Sequence, residues 1–286
     1  MEDLKKRLLL FRDQHNIRWE TIELDYILSW LLVAISQHEQ LSNNLVFKGG
    51  TALKKCWFSD YRYSQDLDFS EIVPSNDELL NQHIVQIIAT TEKLIKPYGN
   101  FIFEVERYAG REPHPFNQAA FIVKVQTPWQ KKPMTKVKLE ISRDEKLVFK
   151  SIWRPILHEY GEEIKNNLQT YSLEEIVLEK FRGILQNQNK FDKKGWVRSR
   201  VRDFYDLWRI MQDYHESINT ADFKDLFLKK CLDKDIKFVT PEQFFREEYL
   251  TYIRSDWNQF LIEVTKTLPS FDEVILKLKR HAYAIF

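Results

Sequence analysis

The chain has 286 residues, of which 43% are hydrophobic and 30% charged, and its formal net charge is +1 at pH 7. This composition is that of a globular protein, and the length allows one large or two modest domains. A nearly neutral chain is not a generally basic nucleic-acid-binding protein, so any basic surface must be local. The two cysteines lie far apart, which argues against a disulfide framework and against a zinc site.

The hydropathy pattern predicts no association with a membrane. The first 16 residues contain a short apolar run but neither a signal-peptide core nor a small-residue cleavage site. The longest apolar stretch, residues 26–35, is too short to cross a bilayer. We therefore expect a cytoplasmic protein.

Periodicity in the first half of the chain predicts a mixture of helices and strands. Helical spacing and end signals predict helices over residues 23–41, 51–58 and 76–99. Short apolar or alternating runs predict strands over residues 45–50, 66–72, 100–108, 119–127 and 135–142. Turn-rich segments at 109–118 and 128–134 separate the last three strands. This order predicts an α+β domain with a mixed sheet.

The second half of the chain predicts helices only. Helical patterns occupy residues 172–185, 197–214, 220–232, 240–264 and 270–286. Ser172 and Glu175 have the spacing of a capping box at the start of the first of these helices. We therefore predict an α+β domain over residues 1–155 and an all-α domain over residues 156–286.

Gly49, Gly50 and Thr51 form a turn between a predicted strand and a predicted helix. Such a turn leaves backbone N–H groups free, and these groups favour an anion such as phosphate. Glycine permits a close approach, and Thr51 adds a hydroxyl donor. The alternative is a tight turn that binds no ligand.

Asp66 and Asp68 lie one residue apart on the next predicted strand, so both side chains point to the same face. Carboxylates this close repel each other unless a cation or strong donor lies between them. Their oxygen atoms suit Mg²⁺, which also binds the phosphate oxygens of a substrate. The alternative is a solvated strand edge with two exposed acids.

Together these motifs resemble the signature of the AbiEii/MenT-type nucleotidyltransferase toxins, within the polymerase-β-like nucleotidyltransferase superfamily. The resemblance covers a K-G-G-T/S-x-L block and an R-x-S-x-D-L-D-F block, matched here by Lys48, Gly49, Gly50, Thr51 and Leu53, and by Arg62, Ser64, Asp66, Leu67, Asp68 and Phe69. It implies a nucleotidyltransferase-like mixed sheet followed by a helical domain that closes the active-site cleft. It also implies metal binding by the Asp pair and nucleotide binding by Gly49, Gly50, Thr51 and Ser64.

Glu140 is the candidate for a third catalytic and metal-binding carboxylate. Two-metal transfer generally requires a further acid on a neighbouring strand. On the strand 135–142, Lys136, Lys138 and Glu140 share one face. The alternative is an exposed Glu140 that pairs with Lys138.

Lys180 lies within an apolar stripe of the helix 172–185, where a buried ammonium needs either water or an anion. The family resemblance implies that a lysine at this place contacts the triphosphate. It also implies an essential acid in a following R-D-x-x-D-L block, for which Asp203 is the candidate. Asp206 could instead pair with Arg202 or Arg209.

A basic segment with interleaved aromatic residues suits an RNA backbone and stacked bases. Its candidate RNA-binding residues are Lys193, Lys194, Arg198 and Arg200, with Phe191 and Trp196 between or beside them. The alternative is a solvated loop between helices.

The sequence therefore predicts a toxin that transfers NMP from an NTP to an RNA acceptor, with Mg²⁺ or Mn²⁺ as cofactor. The tRNA acceptor and a cognate antitoxin partner are implied by the resemblance. Two alternatives remain open, a metal-dependent nuclease and a nucleotide-binding module without turnover.

Overall fold

The computed structural model describes residues 2–108, 117–265 and 267–286. The chain forms two compact units. The sheet unit comprises Met1–Glu145 and Ser151–Thr170, and the helical unit comprises Lys146–Lys150 and Tyr171–Phe286. The predicted boundary between residues 155 and 156 lies inside the sheet unit, because two short strands before Tyr171 join the sheet.

The sheet unit contains a seven-stranded mixed sheet in the order β3-β4-β5-β2-β1-β7-β6. Strand β1 pairs antiparallel with β2 and parallel with β7, whereas β2 pairs parallel with β5. The remaining neighbours are antiparallel. The strands are β1 Leu45–Lys48, β2 Asp66–Glu71, β3 Ile102–Arg107, β4 Gln118–Gln126, β5 Thr135–Ser142, β6 Ile152–Pro155 and β7 Asn167–Thr170.

The alternation of side chains along β2 and β5 separates a core face from a polar face. Leu67 and Phe69 on β2 are buried, while Asp66 and Asp68, which alternate with them, are partly exposed. Strand β5 repeats this pattern, with Val137, Leu139 and Ile141 buried. The predicted α+β fold class is confirmed, because a unit with a mixed sheet and helices is followed by a unit whose described regular elements are all helical.

In its described part the sheet unit also contains five α-helices: α1 Glu2–His15, α2 Trp19–Gln37, α3 Leu41–Asn44, α4 Gly49–Ala52 and α5 Asp77–Ile95. Helix α2 is buried from Thr21 to Ile35 and packs on α5, β5 and β7. Helix α4 continues as a π-helical turn, Leu53–Trp57. Among the described residues, no helix is long and apolar enough to span a membrane.

Two buried carboxylates of α2 anchor neighbouring segments of the sheet unit. The Lys55 ammonium in the π-helical turn donates to Asp25 Oδ2 at 2.5 Å and to Ser29 Oγ at 2.9 Å. Glu23 accepts from Trp129 Nε1 at 2.5 Å and Thr135 Oγ1 at 2.7 Å, in the turn between β4 and β5 and at the start of β5. Buried charges are costly unless they are hydrogen-bonded, so these contacts fix both segments to α2.

The helical unit has five α-helices and one 3₁₀ turn within its described residues: α6 Leu173–Lys194, α7 Val201–Tyr214, α8 Phe223–Leu232, the turn Pro241–Phe245, α9 Glu247–Leu261 and α10 Phe271–Ile285. Ser172 caps α6 by accepting from Glu175 N at 3.3 Å. The Glu175 carboxylate accepts from Val148 N and Phe149 N instead of turning back to the cap. It also pairs with Lys230 at 2.5 Å. These bonds explain why Lys146–Lys150 belongs to the helical unit.

Most of the predicted turn between β3 and β4, residues 109–116, lies outside the described residues.

Candidate active site

The glycine turn approaches the carboxylate of Asp68 directly. Gly49 has a φ of +80°, a conformation that favours glycine. A Cβ atom at Gly49 would lie 2.8 Å from Asp68 Oδ2, which is too close for a real side chain. The backbone of the turn and the Asp-x-Asp strand therefore meet at one place in the sheet unit.

Two further contacts hold the turn in position. A Cβ atom at Gly50 would lie 2.4 Å from an Arg62 guanidinium nitrogen, so this buried arginine packs against the Gly50 backbone. The Thr51 hydroxyl donates to the Asp66 carbonyl at 2.5 Å. Because its proton is committed there, Thr51 links the turn to the first residue of β2. Ser64 is partly buried, two residues before Asp66.

Strand register surrounds Asp68 with charged side chains. Lys48 lies opposite Asp68 across the β1–β2 pair, and Glu140 lies beside it across the β2–β5 pair. Asp66 is likewise in register with Lys138. Three carboxylates and two ammonium groups therefore share one region of the polar sheet face.

The environment of Asp68 disfavours a negative charge. Burial, the neighbouring Glu140 and the neighbouring Asp66 raise its pKa to about 7, although Lys48 and Lys138 oppose this shift. Without a cation, Asp68 therefore retains its proton far above the ordinary range for a carboxyl group. A divalent cation beside it would favour the ionised form.

Glu140 is positioned next to Asp68 but already has a partner. Lys138 Nζ donates to Glu140 Oε1 at 2.6 Å, the pairing that the same-face alternation left open. Across the described ranges, no three His, Cys, Asp or Glu side chains are arranged to hold a metal ion together. The role of Glu140 as a metal ligand therefore stays a prediction.

The Asp pair nevertheless fits a divalent cation by its chemistry. Both residues present oxygen ligands on one face, which is the ligand type that Mg²⁺ and Mn²⁺ prefer. The raised pKa of Asp68 is also expected at a cation site that has no cation bound. The clustered carboxylates then favour a proton on Asp68. Asp66 and Asp68 are thus the residues that would hold the ion.

Gly49→Ala should reduce any activity of this site strongly, by about 100-fold or more. The new methyl group must displace the Asp68 carboxylate, and the backbone must tolerate a positive φ. Steady-state kinetics and thermal unfolding measure the two effects separately. Gly195→Ala is a useful control, since Gly195 also has a positive φ, of 71°, but a Cβ there would meet no atom within 4 Å. Equal activity losses in both variants would contradict the proposed steric effect.

The helical unit holds the second group of predicted site residues. Lys180 Nζ donates to Asp206 Oδ2 at 2.6 Å and to Asp203 Oδ1 at 2.9 Å. Arg200 also donates to Asp203 at 3.1 Å. Burial would raise the pKa of Asp203, but Lys180 and Arg200 hold it below its ordinary value. Lys180, Asp203 and Asp206 thus form one buried ion-pair cluster.

The predicted RNA-binding residues lie around the end of α6 and the segment that follows it. Lys193 and Lys194 are exposed in the last turn of the helix, where positive charge suits the helix dipole. Arg198 is exposed, whereas Arg200 is engaged by Asp203. Trp196 is also exposed beside them. Their contact with RNA stays a prediction.

The structure places three basic residues beside the predicted site residues. Lys48 and Arg62 belong to the recognised motifs, but only register and packing place them at Asp68 and Gly50. Lys138 is adjacent to Asp66 in register and pairs with Glu140. The same-face position of Lys138 and Glu140 was the one signal in the sequence for this pairing.

Most of the chain matches a known protein family. The family model described as "Nucleotidyl transferase AbiEii toxin, Type IV TA system" matches residues 30–277. Among curated proteins, none matches the chain by sequence.

Two solved structures share the fold. MenT4, a nucleotidyltransferase toxin from Mycobacterium tuberculosis H37Rv, is 21% identical with a TM-score of 0.62, over 96% of this chain and 87% of that chain. A putative nucleotidyltransferase from H. pylori is 20% identical with a TM-score of 0.54, over 93% and 94% respectively.

Proposed function

Because the chain belongs to the AbiEii nucleotidyltransferase toxin family, we propose that it transfers a nucleoside monophosphate from an NTP to tRNA in a metal-dependent reaction. As a member of this family it is a nucleotidyltransferase of a toxin–antitoxin system. The observation that carries the finer proposal is the approach of the Gly49 backbone to the Asp68 carboxylate. A polyphosphate bound with a cation needs amide groups and a carboxylate at such a distance.

Asp66 and Asp68 would hold Mg²⁺ or Mn²⁺. When bound, the ion would offset negative charge on the triphosphate and on the departing pyrophosphate. Because the pKa of Asp68 is raised to about 7 in the metal-free protein, cation binding near neutral pH would be accompanied by release of a proton from the protonated fraction. The carboxylates of Asp66 and Asp68 would then already be fixed around the cation when the nucleotide reacts, so no rearrangement of these charges would be needed during the reaction.

The chain's own groups would position the two reactants. The backbone amides of Gly49 and Gly50, together with the Ser64 hydroxyl, would orient the phosphates. Thr51 would act indirectly, because its hydroxyl holds the turn against Asp66. The 3′-oxygen of the RNA forms a bond to the α-phosphorus as the bond from that phosphorus to the bridging oxygen breaks. Pyrophosphate leaves with the electron pair, and the hydroxyl proton passes to water. Such a reaction depends chiefly on alignment and charge stabilisation.

The roles of the remaining predicted site residues rest on the family resemblance. Glu140 would orient the attacking hydroxyl through the carboxylate oxygen that does not accept from Lys138. The roles of Lys180 and Asp203 in catalysis, and of Lys180 in nucleotide binding, stay predictions. The family description, a toxin of a type IV toxin–antitoxin system, supports an antitoxin partner. We also propose that the protein acts in the cytoplasm, where NTP and tRNA are found.

Label transfer tests the proposal. Purified protein is incubated with total tRNA, Mg²⁺ and each NTP in turn, labelled on the α-phosphate or on the γ-phosphate. We expect α-label to join the RNA, γ-label to appear in pyrophosphate, and EDTA to stop both. Asp68→Asn should remove transfer, whereas Glu104→Gln, an exposed site on β3, should retain it.

The alternatives give different products in the same assay. RNA shortened without NTP would favour a metal-dependent nuclease built from the same acids. Nucleotide that binds but stays intact would favour a module without turnover. Transfer that persists in Asp68→Asn would contradict the assignment of the site.

A further inference from the structure

The hairpin formed by β4 and β5 carries a row of lysines that leads toward the Asp pair. On β5, Lys138 is in register with Asp66, and Lys136 lies one same-face step further along the strand. A same-face step is about 7 Å in a β-strand. Lys124 lies directly opposite Lys136 on β4. We define the lysine track as Lys124, Lys131, Lys132, Lys136 and Lys138.

Three members of the track are available to an outside partner. Lys131, Lys132 and Lys136 are exposed, and none of them forms an ion pair with any residue that the structure describes. Lys124 pairs with Glu106 at 2.8 Å, and Lys138 pairs with Glu140. Positive charge therefore remains uncompensated from the tip of the hairpin to a point one step from the catalytic region.

The arrangement of the track is unfavourable for the sheet itself. Like charges directly opposite each other on antiparallel strands destabilise the strand pair. Lys124 on β4 and Lys136 on β5 are directly opposite each other. Glu106 partners Lys124, so Lys136 carries the uncompensated charge of this pair, and an external polyanion would compensate it.

The turn that displays these lysines is held rigidly. Glu23 on the buried helix α2 accepts from Trp129, Gln130 and Thr135, which flank the exposed Lys131 and Lys132. A turn anchored by a buried, fully hydrogen-bonded carboxylate presents its charges at fixed positions. Less conformational entropy is then lost when a partner binds.

We propose that the lysine track binds the sugar–phosphate backbone of the acceptor RNA and guides its 3′ end to Asp66 and Asp68. This inference rests on the proposed function, because only a polymeric acceptor needs a charged path that ends at the reaction site. It assigns RNA contact to the sheet unit, in addition to the residues predicted in the helical unit. The contacts are to phosphates, so they are independent of sequence.

Salt-dependent RNA binding tests the track without any chemistry. The probes are total tRNA and an unstructured 20-nucleotide RNA, titrated without NTP or metal. The variant is Lys131→Glu/Lys132→Glu/Lys136→Glu, and the control is Lys5→Glu/Lys224→Glu/Lys237→Glu, three exposed lysines outside the hairpin. Both variants change the net charge equally, so global repulsion affects them alike.

We expect the track variant to bind RNA at least about tenfold more weakly at low salt. For the single-stranded probe, the plot of log association constant against log salt concentration has a negative slope. We expect this slope to become less steep by about 2, because three phosphate contacts are lost. The control should stay close to wild type. If the Glu variant does not fold, the Gln triple variant replaces it, with an expected loss of about threefold to tenfold and a similar fall in slope.

Equal binding by the track and control variants would overturn the inference, as would a wild-type protein that binds neither probe. Neither result decides the proposed function, which is judged by α-label transfer. Weaker RNA binding by the track variant than by its control would support the track, and loss of transfer in Asp68→Asn would separately support the proposed function.

Discussion

Asp68→Asn should abolish nucleotide transfer and, at the same time, stabilise the metal-free protein. Transfer should fall by at least about 1,000-fold, or about 4 kcal/mol in the barrier, because a ligand of the charge-neutralising cation is lost. The metal-free protein should gain about 1–2 kcal/mol at pH 8. Asparagine removes a negative charge that burial and Glu140 disfavour, and the partial exposure of Asp68 keeps this gain small.

The sign of the pH dependence follows from the pKa of Asp68. In the folded metal-free protein this carboxyl keeps its proton up to about pH 7, whereas the unfolded chain releases it near 3.8. The native state therefore loses stability relative to the unfolded state as pH rises between these values. The advantage of Asp68→Asn should grow from pH 4 to pH 7 and stay constant above pH 7.

Urea unfolding in EDTA, at several pH values, measures this effect. Adding Mg²⁺ should stabilise the wild type and leave Asp68→Asn unchanged, because only a site that binds the ion shifts the unfolding equilibrium. Glu104→Gln provides the control for loss of a carboxylate on the same sheet. A variant that is less stable than the wild type at pH 8 would contradict the electrostatic description of Asp68.

Lys180→Met should destabilise the protein by about 3 kcal/mol or more. The change removes the ammonium that lies 2.6 Å from Asp206 and 2.9 Å from Asp203. The Asp206 side chain is fully buried, so its carboxylate loses a partner without access to water. Removing one member of a buried ion pair costs far more than an exposed pair contributes.

Urea unfolding of the single and double variants separates this structural effect from catalysis. Lys180→Met/Asp206→Asn should recover much of the lost stability, because no unbalanced carboxylate remains at that position. Lys224→Met, at an exposed lysine of α8, should change stability by less than about 0.5 kcal/mol. Wild-type stability in Lys180→Met would show that the cluster contributes nothing to folding. Activity of Lys180 variants is informative only where the variant is folded.

Much of the fold could be predicted because its main elements follow simple periods. Alternation marked β2 and β5, and their buried and polar faces lie as the pattern indicates. Asn76 ends the preceding loop and caps α5, as its position suggested. These features depend on residues that are close together in the sequence.

Other elements could not be predicted because their stability comes from distant partners. Strands β6 and β7 have four residues each and little apolar alternation, and β7 is held by pairing with β1. Helix α1 has a short apolar run that packs on α2. Tertiary contacts, rather than local pattern, make these segments regular.

The site was predictable along each strand but not between strands. The spacing of Asp66 and Asp68 fixes a shared face, whereas the placement of Lys48 and Glu140 beside Asp68 depends on register. The bond between Lys180 and Asp206 joins residues on different helices, and no spacing rule anticipates it. Long-range pairing therefore supplied most of the electrostatic detail.

The most direct test of the central claim is anomalous diffraction from crystals of the protein grown with Mn²⁺ and a non-hydrolysable NTP analogue. We expect an anomalous peak within about 2.2 Å of carboxylate oxygens of both Asp66 and Asp68. We also expect phosphate oxygens within hydrogen-bond distance of the backbone amides at Gly49 and Gly50. A peak and a triphosphate located away from the Asp pair and the glycine turn would contradict that claim.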